Sequence, residues 1–241
     1  MRIDNLAIPF KRIAEMTTTV QELLEAMAAI TMRLGFQHFA IANHLDITLT
    51  KSAIRLHNYP SRWAEHYDRK SLVYIDPVLR RSHLTDDGFA WSEMGRLAPL
   101  TQLEREVITA GREHGIAEGF TVPAHLPGEP GTCTFVNITG EPVLPAIQAL
   151  AQLAGIAGFT AARRLWPGRK QRDLRMRPVL TRQQIIITQL IAQGLSDKKI
   201  AETLKITEET AASHVRDIYF RYGVNKRSLL VYLAGRDGYL I

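Results

Sequence analysis

The spacing of apolar residues alternates between two periods along the first 165 residues. Between positions 20 and 34, apolar side chains recur every three or four residues, which predicts an amphipathic helix ending near Gly35. Ser61 is placed to cap a second helix, and the capping-box pair Thr101 and Glu104 opens a third. The predicted helices span 20–34, 61–70, 101–115 and 145–164, and β-rich runs predict strands at 36–45, 54–57, 120–126 and 132–139.

This order of elements predicts the architecture of the front part of the chain. Because helices precede and follow the runs of strands, we expect an α+β fold. An antiparallel sheet would carry helices on its faces, as an α/β/α sandwich. Such a layer of sheet and helices can enclose a pocket for a small molecule.

The last part of the chain has helical periodicity throughout. Thr181, Ser196 and Thr207 are placed to cap its first three helices. The predicted helices span 183–193, 197–204 and 208–222, and Asn225 or Lys226 opens a last helix that runs to Ala234. A tight turn joins the second to the third, as in a helix-turn-helix. We therefore expect an all-α domain that presents its third helix to the major groove of double-stranded DNA.

A stretch rich in proline and arginine separates the two parts. Residues 166–178 contain two prolines, one glycine and five basic residues, which predicts a linker between domains at 1–165 and 179–241. Residues 1–162 carry 14 Lys/Arg and 17 Asp/Glu, whereas residues 163–241 carry 16 Lys/Arg and 7 Asp/Glu. The basic tail suits a polyanion such as DNA, because contacts to phosphates release counterions.

Composition excludes several other classes of protein. Hydrophobic residues make up 46% and charged residues 22% of the chain, as in soluble globular proteins. The first residues lack the apolar core of a signal peptide, and no uninterrupted apolar run is long enough for a membrane span. We therefore expect a cytoplasmic protein without a membrane partner. Cys133 is the only cysteine, which excludes an intrachain disulfide and a cysteine-rich zinc site.

The sequence also lacks the motifs of the common enzyme classes. Its eight histidines include no metal-ligand pair in a recognised spacing. No nucleophile elbow, phosphate loop or GxGxxG motif is present. We expect a protein that is not an enzyme and that needs no metal or cofactor.

The exposed face of the helix 208–222 carries the candidate DNA-reading residues. Arg216 is the leading candidate, because a guanidinium group can bind guanine through two hydrogen bonds. Neighbouring basic residues suit backbone phosphates, which position a protein on DNA without specifying a sequence. The candidate DNA-contacting residues are Lys198, Lys199, Thr207, Thr210, Ser213, His214, Arg216, Lys226 and Arg227.

The tail carries a family resemblance. The segments 180–181, 192–196, 199–201 and 222–227 resemble the LuxR-type DNA-binding domain in residue type and in spacing, over about 60 residues. The sequence departs from the usual pattern of that domain at Gln184, Thr188, Ala211 and Ala212. The last departure replaces a position that often reads a base, so the preferred operator sequence is expected to differ.

A cluster of aromatic residues in the front part is a candidate ligand site. Trp63 and Tyr67 lie four residues apart and share a helix face, and Tyr74 and Asp76 follow them. Aromatic rings around one carboxylate would form a mostly apolar cavity with one strong acceptor, which suits an amphiphilic ligand with an amide N–H. The same pattern fits an ordinary core in which Asp76 caps a helix, so the residues taken singly leave both interpretations open.

The order and spacing of these residues resemble the autoinducer-binding domain of LuxR-type quorum-sensing receptors. The matching positions are Trp63, Tyr67, Asp76, Pro77, Trp91, Gly115 and Gly119. The implied ligand is an N-acyl- or aryl-homoserine lactone. The candidate ligand-binding residues are Trp63, Tyr67, Tyr74, Asp76, Trp91 and Thr134.

The resemblance also implies a role for most of these side chains. Trp63 would donate its indole N–H to the lactone carbonyl, and Asp76 would accept the amide N–H. Tyr67 would bond the acyl carbonyl. Trp91 would pack over the lactone ring, and Thr134 would supply a further hydroxyl from a strand.

These interpretations combine into a ligand-controlled transcription regulator. The lactone would fill the cavity and stabilise the front domain by binding its native state alone. A homodimer formed through the helix 145–164 would bind a two-fold operator. A regulator that responds to a different small molecule, or to none, stays open as an alternative. A response regulator is disfavoured, because no acidic pair follows the first predicted strand.

Overall fold

The computed structural model describes residue 10 and residues 15–44, 53–125, 130–166 and 178–240. The chain divides into a front unit, Met1–Arg169, and a tail unit, Lys170–Ile241. The predicted linker lies almost wholly outside the described residues, as do the predicted strand ends at 45 and 126. The predicted domain bounds therefore stay predictions.

A five-stranded antiparallel sheet forms the centre of the front unit. In the order β2-β1-β5-β4-β3, it contains β1 (His38–Asn43), β2 (Arg55–His57), β3 (Phe89–Ala90), β4 (Glu118–Pro123) and β5 (Gly131–Asn137). The sequence pattern missed β3, because two residues are too few to show a periodic signal. The predicted α+β fold with an antiparallel sheet is confirmed.

Two long helices, α1 (Val20–Arg33) and α6 (Pro145–Leu165), cover one face of this sheet. The core of this face includes the fully buried side chains Phe39, Ile41, Cys133 and Phe135. Gly155 lets α6 approach closely, since a Cβ there would lie 2.7 Å from Cγ2 of Val122. Among the described helices, α6 alone is long and apolar enough to cross a membrane, and 44% of that segment is buried in the fold.

Four short helices and two 3₁₀ turns lie towards the other face. They are α2 (Ser61–Arg69), α3 (Pro77–Ser82), α4 (Met94–Leu97), α5 (Gln102–Glu113) and the turns Leu72–Tyr74 and Trp91–Glu93. The predicted capping box is confirmed, because Thr101 and Glu104 each accept the other's backbone N–H. The prediction that Ser61 caps α2 was wrong. Pro60 occupies the cap position, so Ser61 is already in the helix and no side chain caps it.

A buried ion pair joins three of these elements. Arg81 on α3 is fully buried, and its Nη1 donates to Oε1 of Glu104 on α5 at 2.7 Å. The same guanidinium group donates to the backbone carbonyls of Met94, at the start of α4, and of Ala98 and Pro99, just after its end. The bonds from Arg81 hold the pKa of Glu104 down at about 2. Arg81 thereby fixes α3, and the residues at its two ends, relative to α5.

The tail unit is built from four described helices around one small core. They are α7 (Arg182–Ala192), α8 (Asp197–Leu204), α9 (Glu208–Tyr222) and α10 (Arg227–Arg236). The predicted caps Thr181, Ser196 and Thr207 each accept a backbone N–H from the first turn that follows. Ala201 on α8 and Ala211 on α9 are buried, and their small size lets these two helices pack closely. The predicted all-α helix-turn-helix domain is confirmed.

Candidate ligand cavity and nucleic-acid interface

A cavity of about 790 Å³ lies between the sheet and the short helices of the front unit. Ala40 and Ala42 on β1 and Thr132 and Thr134 on β5 form its floor, where paired residues of the two strands stand side by side. The small side chains leave room above the sheet that larger residues would fill. The size is typical of pockets for small organic ligands.

All six predicted ligand-binding residues line this cavity. Trp63 and Tyr67 reach it from α2, Asp76 and Tyr74 from the segment before α3, and the remaining two from the sheet region. Tyr74 differs from the others because it is 75% exposed, which places it at the rim. The cluster predicted from residues 63–134 is therefore assembled around one space.

Asp76 both caps a helix and lines the cavity, so the core interpretation and the ligand-site interpretation of this residue hold together. It is the N-cap of α3, and its Oδ1 accepts the backbone N–H of Val78 at 2.8 Å. Its Oδ2 accepts the hydroxyl of Tyr67 at 2.7 Å. Burial, the largest cause, raises the pKa of the Asp76 carboxyl. A carboxylate can accept about four hydrogen bonds, so Asp76 keeps capacity for a donor from a ligand.

The two tryptophans present different groups to the cavity. Trp63 is buried, and its ring meets that of Tyr67 edge-on, with ring centroids 5.7 Å apart. Among the described residues its indole N–H has no hydrogen-bond partner, so this donor is available inside the cavity. The indole N–H of Trp91 instead donates to Oγ1 of Thr121 at 2.9 Å, and Oγ1 of Thr121 lies 3.1 Å from Oγ1 of Thr134. The Trp91 N–H and the Thr134 hydroxyl therefore both already have Thr121 as a hydrogen-bond partner. Trp91 presents mainly its ring to the cavity.

Gly119 explains how Trp91 lies against the sheet. A Cβ at Gly119 would stand 2.7 Å from Cε2 of Trp91 and 2.8 Å from the carbonyl oxygen of Phe135. Only a glycine allows both contacts, so Gly119 serves the close packing of Trp91 on the sheet.

Sequence reasoning missed Tyr59, which lines the same cavity from the segment between β2 and α2. It is half-buried and packs with Trp63 and Leu72. Burial first, and the nearby Asp76 carboxyl second, raise its pKa. As a single aromatic residue beside a proline it has no periodic signal, so no local pattern points to it.

In the tail unit, most of the predicted DNA-contacting residues are exposed. Ser213 and Arg216 lie on the outer side of α9, while Lys198, Lys199 and Lys226 lie near the starts of α8 and α10. Exposed lysines at the starts of the two neighbouring helices suit contacts to backbone phosphates.

Three other predicted residues have internal partners. Thr207 caps α9, accepting the N–H of Thr210, and the two hydroxyl oxygens lie 2.8 Å apart. Arg227 donates from Nη1 to Oδ1 of Asp197 at 2.8 Å and from Nη2 to the carbonyl of Leu195. Arg227 therefore ties α10 to the start of α8. His214 is half-buried beside the core.

Together these features define a class of protein: a sandwich with a ligand-sized cavity, followed in the chain by a helix-turn-helix unit. Comparison with known families agrees with both parts. The model of the autoinducer binding domain matches residues 19–163, and that of the bacterial regulatory proteins of the luxR family matches residues 178–234. The chain belongs to the LuxR family of transcription regulators with an autoinducer-binding domain.

Individual relatives cover nearly the whole chain at low identity. The transcriptional activator VanR of Vibrio anguillarum is 24% identical over 92% of this chain and 92% of its own length. BjaR1 of Bradyrhizobium diazoefficiens, also a transcriptional activator, is 27% identical over 90% and 88%. A structure of SdiA, a regulatory protein of Escherichia coli, in complex with octanoyl-rac-glycerol has a TM-score of 0.60 at 19% identity, over 98% and 97% of the two chains. At that identity the likeness to SdiA shows the fold alone.

Proposed function

We propose that this regulator is a quorum-sensing receptor that binds an N-acyl- or aryl-homoserine lactone in the cavity of its front unit. The observation that carries the proposal is the set of polar groups at one end of the cavity. Asp76 accepts, Tyr67 can donate or accept, and Trp63 has an unused N–H donor. An amide joined to a lactone offers the complementary donor and carbonyl groups, and its acyl tail suits the apolar remainder.

In this proposal each side chain has one task at the ligand. Trp63 donates to the lactone carbonyl, and Asp76 accepts the amide N–H. Tyr67 donates to Asp76 in the absence of ligand, and would turn this O–H to the acyl carbonyl once the amide N–H occupies Asp76. The ring of Trp91, lying against Gly119, packs over the lactone.

Ligand binding would control DNA binding through the front unit's stability and self-association. A ligand that binds only the folded state stabilises it by a few kcal/mol at saturation. Leu153 and Ile156 on α6 are about half exposed and are proposed as part of a homodimer contact. Two tail units would then meet a two-fold operator in cytoplasmic double-stranded DNA, with half-sites about one helical turn apart. In this scheme the protein performs no catalysis and needs no membrane.

The test compares wild type with Asp76→Asn and the matched control Asp86→Asn, which makes the same change at an exposed position. Affinity for N-octanoyl-homoserine lactone is measured by calorimetric titration. Affinity for operator DNA, first selected from random sequence, is measured with and without the lactone. We expect Asp76→Asn to weaken lactone binding roughly ten- to hundredfold, because a hydrogen bond to a charged group contributes about 1.5–3 kcal/mol. The Asp86→Asn variant should match wild type.

A second function is favoured by one observation: the structurally similar SdiA chain binds octanoyl-rac-glycerol, which has an acyl chain but no lactone. The same titrations therefore include octanoyl-rac-glycerol. Tighter binding of that lipid than of any homoserine lactone would support a receptor for another acyl compound. If no lactone raises the melting temperature and DNA affinity is equal with and without it, the quorum-sensing proposal is wrong.

A further inference from the structure

A second group of polar side chains lines the cavity away from Asp76. His44 follows β1, His83 follows α3, and Thr132 lies on β5; all three line the cavity. Nδ1 of His44 and Nε2 of His83 are 2.8 Å apart, and Nε2 of His44 is 3.5 Å from Oγ1 of Thr132. The ring of His125 stacks on the outer side of His83, with centroids 5.7 Å apart.

Two structural elements place this histidine pair at the opposite end from the proposed headgroup site. Asp76 is the N-cap of α3 and His83 is its C-cap, so the backbone positions are separated by roughly 10 Å at the rise of an α-helix. On β5, Val136 packs with Trp63, whereas Thr132 lies four residues away, or roughly 13 Å along the strand. The cavity therefore has two separate polar groups in its lining, roughly 10–13 Å apart along α3 and β5.

The chemistry of the histidine pair is that of two neutral rings. Burial first, then the neighbouring His83 and His125, lower the pKa of His44 to about 4, and burial also lowers that of His83. At neutral pH the close nitrogens must therefore share one N–H···N hydrogen bond. Whichever ring donates in that bond, the two outer nitrogens, Nε2 of His44 and Nδ1 of His83, are left as one donor and one acceptor.

Within the described residues, these two outer nitrogens leave much of their hydrogen-bonding capacity unfilled. Nδ1 of His83 has no partner among the described residues, and the contact of His44 with Thr132 is long. A saturated hydrocarbon tail that ended here would cover polar nitrogens without bonding them, which is unfavourable. A hydroxyl group can both donate and accept, so it complements the pair in either tautomer.

We propose that His44 and His83 form a subsite for a hydroxyl group on the tail of the ligand, so that the preferred signal ends in an alcohol and not in a methyl group. This proposal rests on the proposed function in one respect, because it takes the headgroup of the ligand to be bound at the Asp76 end of the cavity. The hydroxyl would lie roughly 10–13 Å from the Asp76 end, which is the separation measured along α3 and along β5.

The experiment measures the affinity of the full chain for four compounds by calorimetric titration. Two are N-octanoyl-homoserine lactone and its 8-hydroxyoctanoyl counterpart. The other two, octanamide and 8-hydroxyoctanamide, have the same tails without a lactone. We expect the hydroxylated member of each pair to bind about five- to tenfold more tightly, as the gain of a hydrogen bond predicts.

Variants test whether the histidines carry this preference. His83→Leu and His44→Leu should reverse it, so that the methyl-ended compound of each pair binds more tightly. His125→Leu is the matched control, because His125 is exposed near His83 but does not line the cavity. Melting temperatures verify folding, and His83→Leu keeps the test informative if His44→Leu fails to fold, since His83 is the more exposed.

The outcomes separate this inference from the proposed function. If both lactones bind equally, or if His83→Leu keeps the hydroxyl preference, the subsite is wrong while lactone recognition stands. If neither lactone binds but 8-hydroxyoctanamide binds in a His83-dependent way, the subsite stands and the lactone proposal is wrong. If none of the four compounds binds, both are overturned.

Discussion

The front and tail units present their candidate binding groups in opposite surroundings. In the front unit Asp76 and Trp63 lie inside a cavity, and Asp76 is bonded to another cavity residue. In the tail unit Arg216 and Lys198 stand exposed on helix surfaces. Buried polar groups are costly to leave unpaired, whereas exposed cations contribute mainly through long-range attraction that salt screens. Changes around the cavity should therefore alter stability and ligand binding together, and changes on α9 should alter DNA binding alone.

The largest effect is expected at the buried ion pair. Arg81→Met leaves Glu104 buried without its main partner and should lower the free energy of unfolding of the front unit by about 3–5 kcal/mol. Tryptophan fluorescence in urea measures this unit selectively, because Trp63, Trp91 and Trp166 all belong to it. The matched control is Arg80→Met, since Arg80 also contacts Glu104 but is 61% exposed. Equal losses in the two variants would contradict the assignment of Arg81 as the structural partner.

The next effect concerns the contact between the sheet and Trp91. Gly119→Ala places a methyl group against the ring of Trp91 and should cost about 1–3 kcal/mol of front-unit stability through overpacking. It should also weaken lactone binding, since the ring must move. Gly95→Ala on α4 is the control, because a Cβ there meets nothing within 4 Å. Wild-type stability and affinity in the Gly119→Ala variant would show that Trp91 moves freely.

A smaller and more selective effect is expected on α9. Arg216→Ala should weaken operator binding by about 1–3 kcal/mol. The free energy of unfolding should change by less than about 0.5 kcal/mol, because the side chain is exposed. Fluorescence anisotropy with labelled operator DNA measures the affinity, and Arg182→Ala on α7 removes the same charge elsewhere in the unit. If Arg182→Ala weakens binding as much as Arg216→Ala, net charge and not the α9 surface determines the affinity.

The smallest effect is a pH dependence of the free energy of unfolding of the front unit. The pKa of His44 falls from 6.5 to about 4 on folding, so the folded state binds fewer protons at this site than the unfolded state. The stabilisation that neutral His44 gives the folded state is present above about pH 6.5, and it is lost as the pH falls towards 4. Allowing for partial solvent screening, we expect a loss of about 1 kcal/mol between pH 7 and pH 5.

The measurement is the difference in that loss between wild type and His44→Gln, followed by tryptophan fluorescence in urea. His83 packs edge-on against the same ring, and burial lowers its pKa as well, so the variant retains part of the dependence. Identical pH profiles for the two proteins would show that His44 is not desolvated on folding.

Local sequence patterns predicted most of the elements in both units. The helix caps Thr181, Ser196 and Thr207 and the capping box of Thr101 act within one turn of chain, so neighbouring residues suffice to predict them. The wrong cap at Ser61 has the same local origin. A serine at the start of a helical pattern looked like a cap, but Pro60 fills that position and moves Ser61 into the helix.

The candidate sites were predicted only as far as their residues follow one another in the chain or match the family motif. Trp63, Tyr67 and Asp76 lie within a short segment, and the structure brings them to one cavity. Arg227 fits a phosphate contact by charge, yet it bonds Asp197, 30 positions earlier in the chain. No periodic pattern encodes such a pair.

The sequence by itself therefore determined the two-part organisation, the acidic front and basic tail, and the aromatic cluster beside Asp76. It also determined where the helices capped by Thr101, Thr181, Ser196 and Thr207 begin. These depend on composition, local backbone preferences and spacing. Only the tertiary structure decided that Arg81 is buried against Glu104, and that His44, His83 and Thr132 meet at the far end of the cavity. Those contacts join residues up to 88 positions apart in the chain. The packing of the sheet against α3 and α5 removes water from these side chains and sets the distances between them.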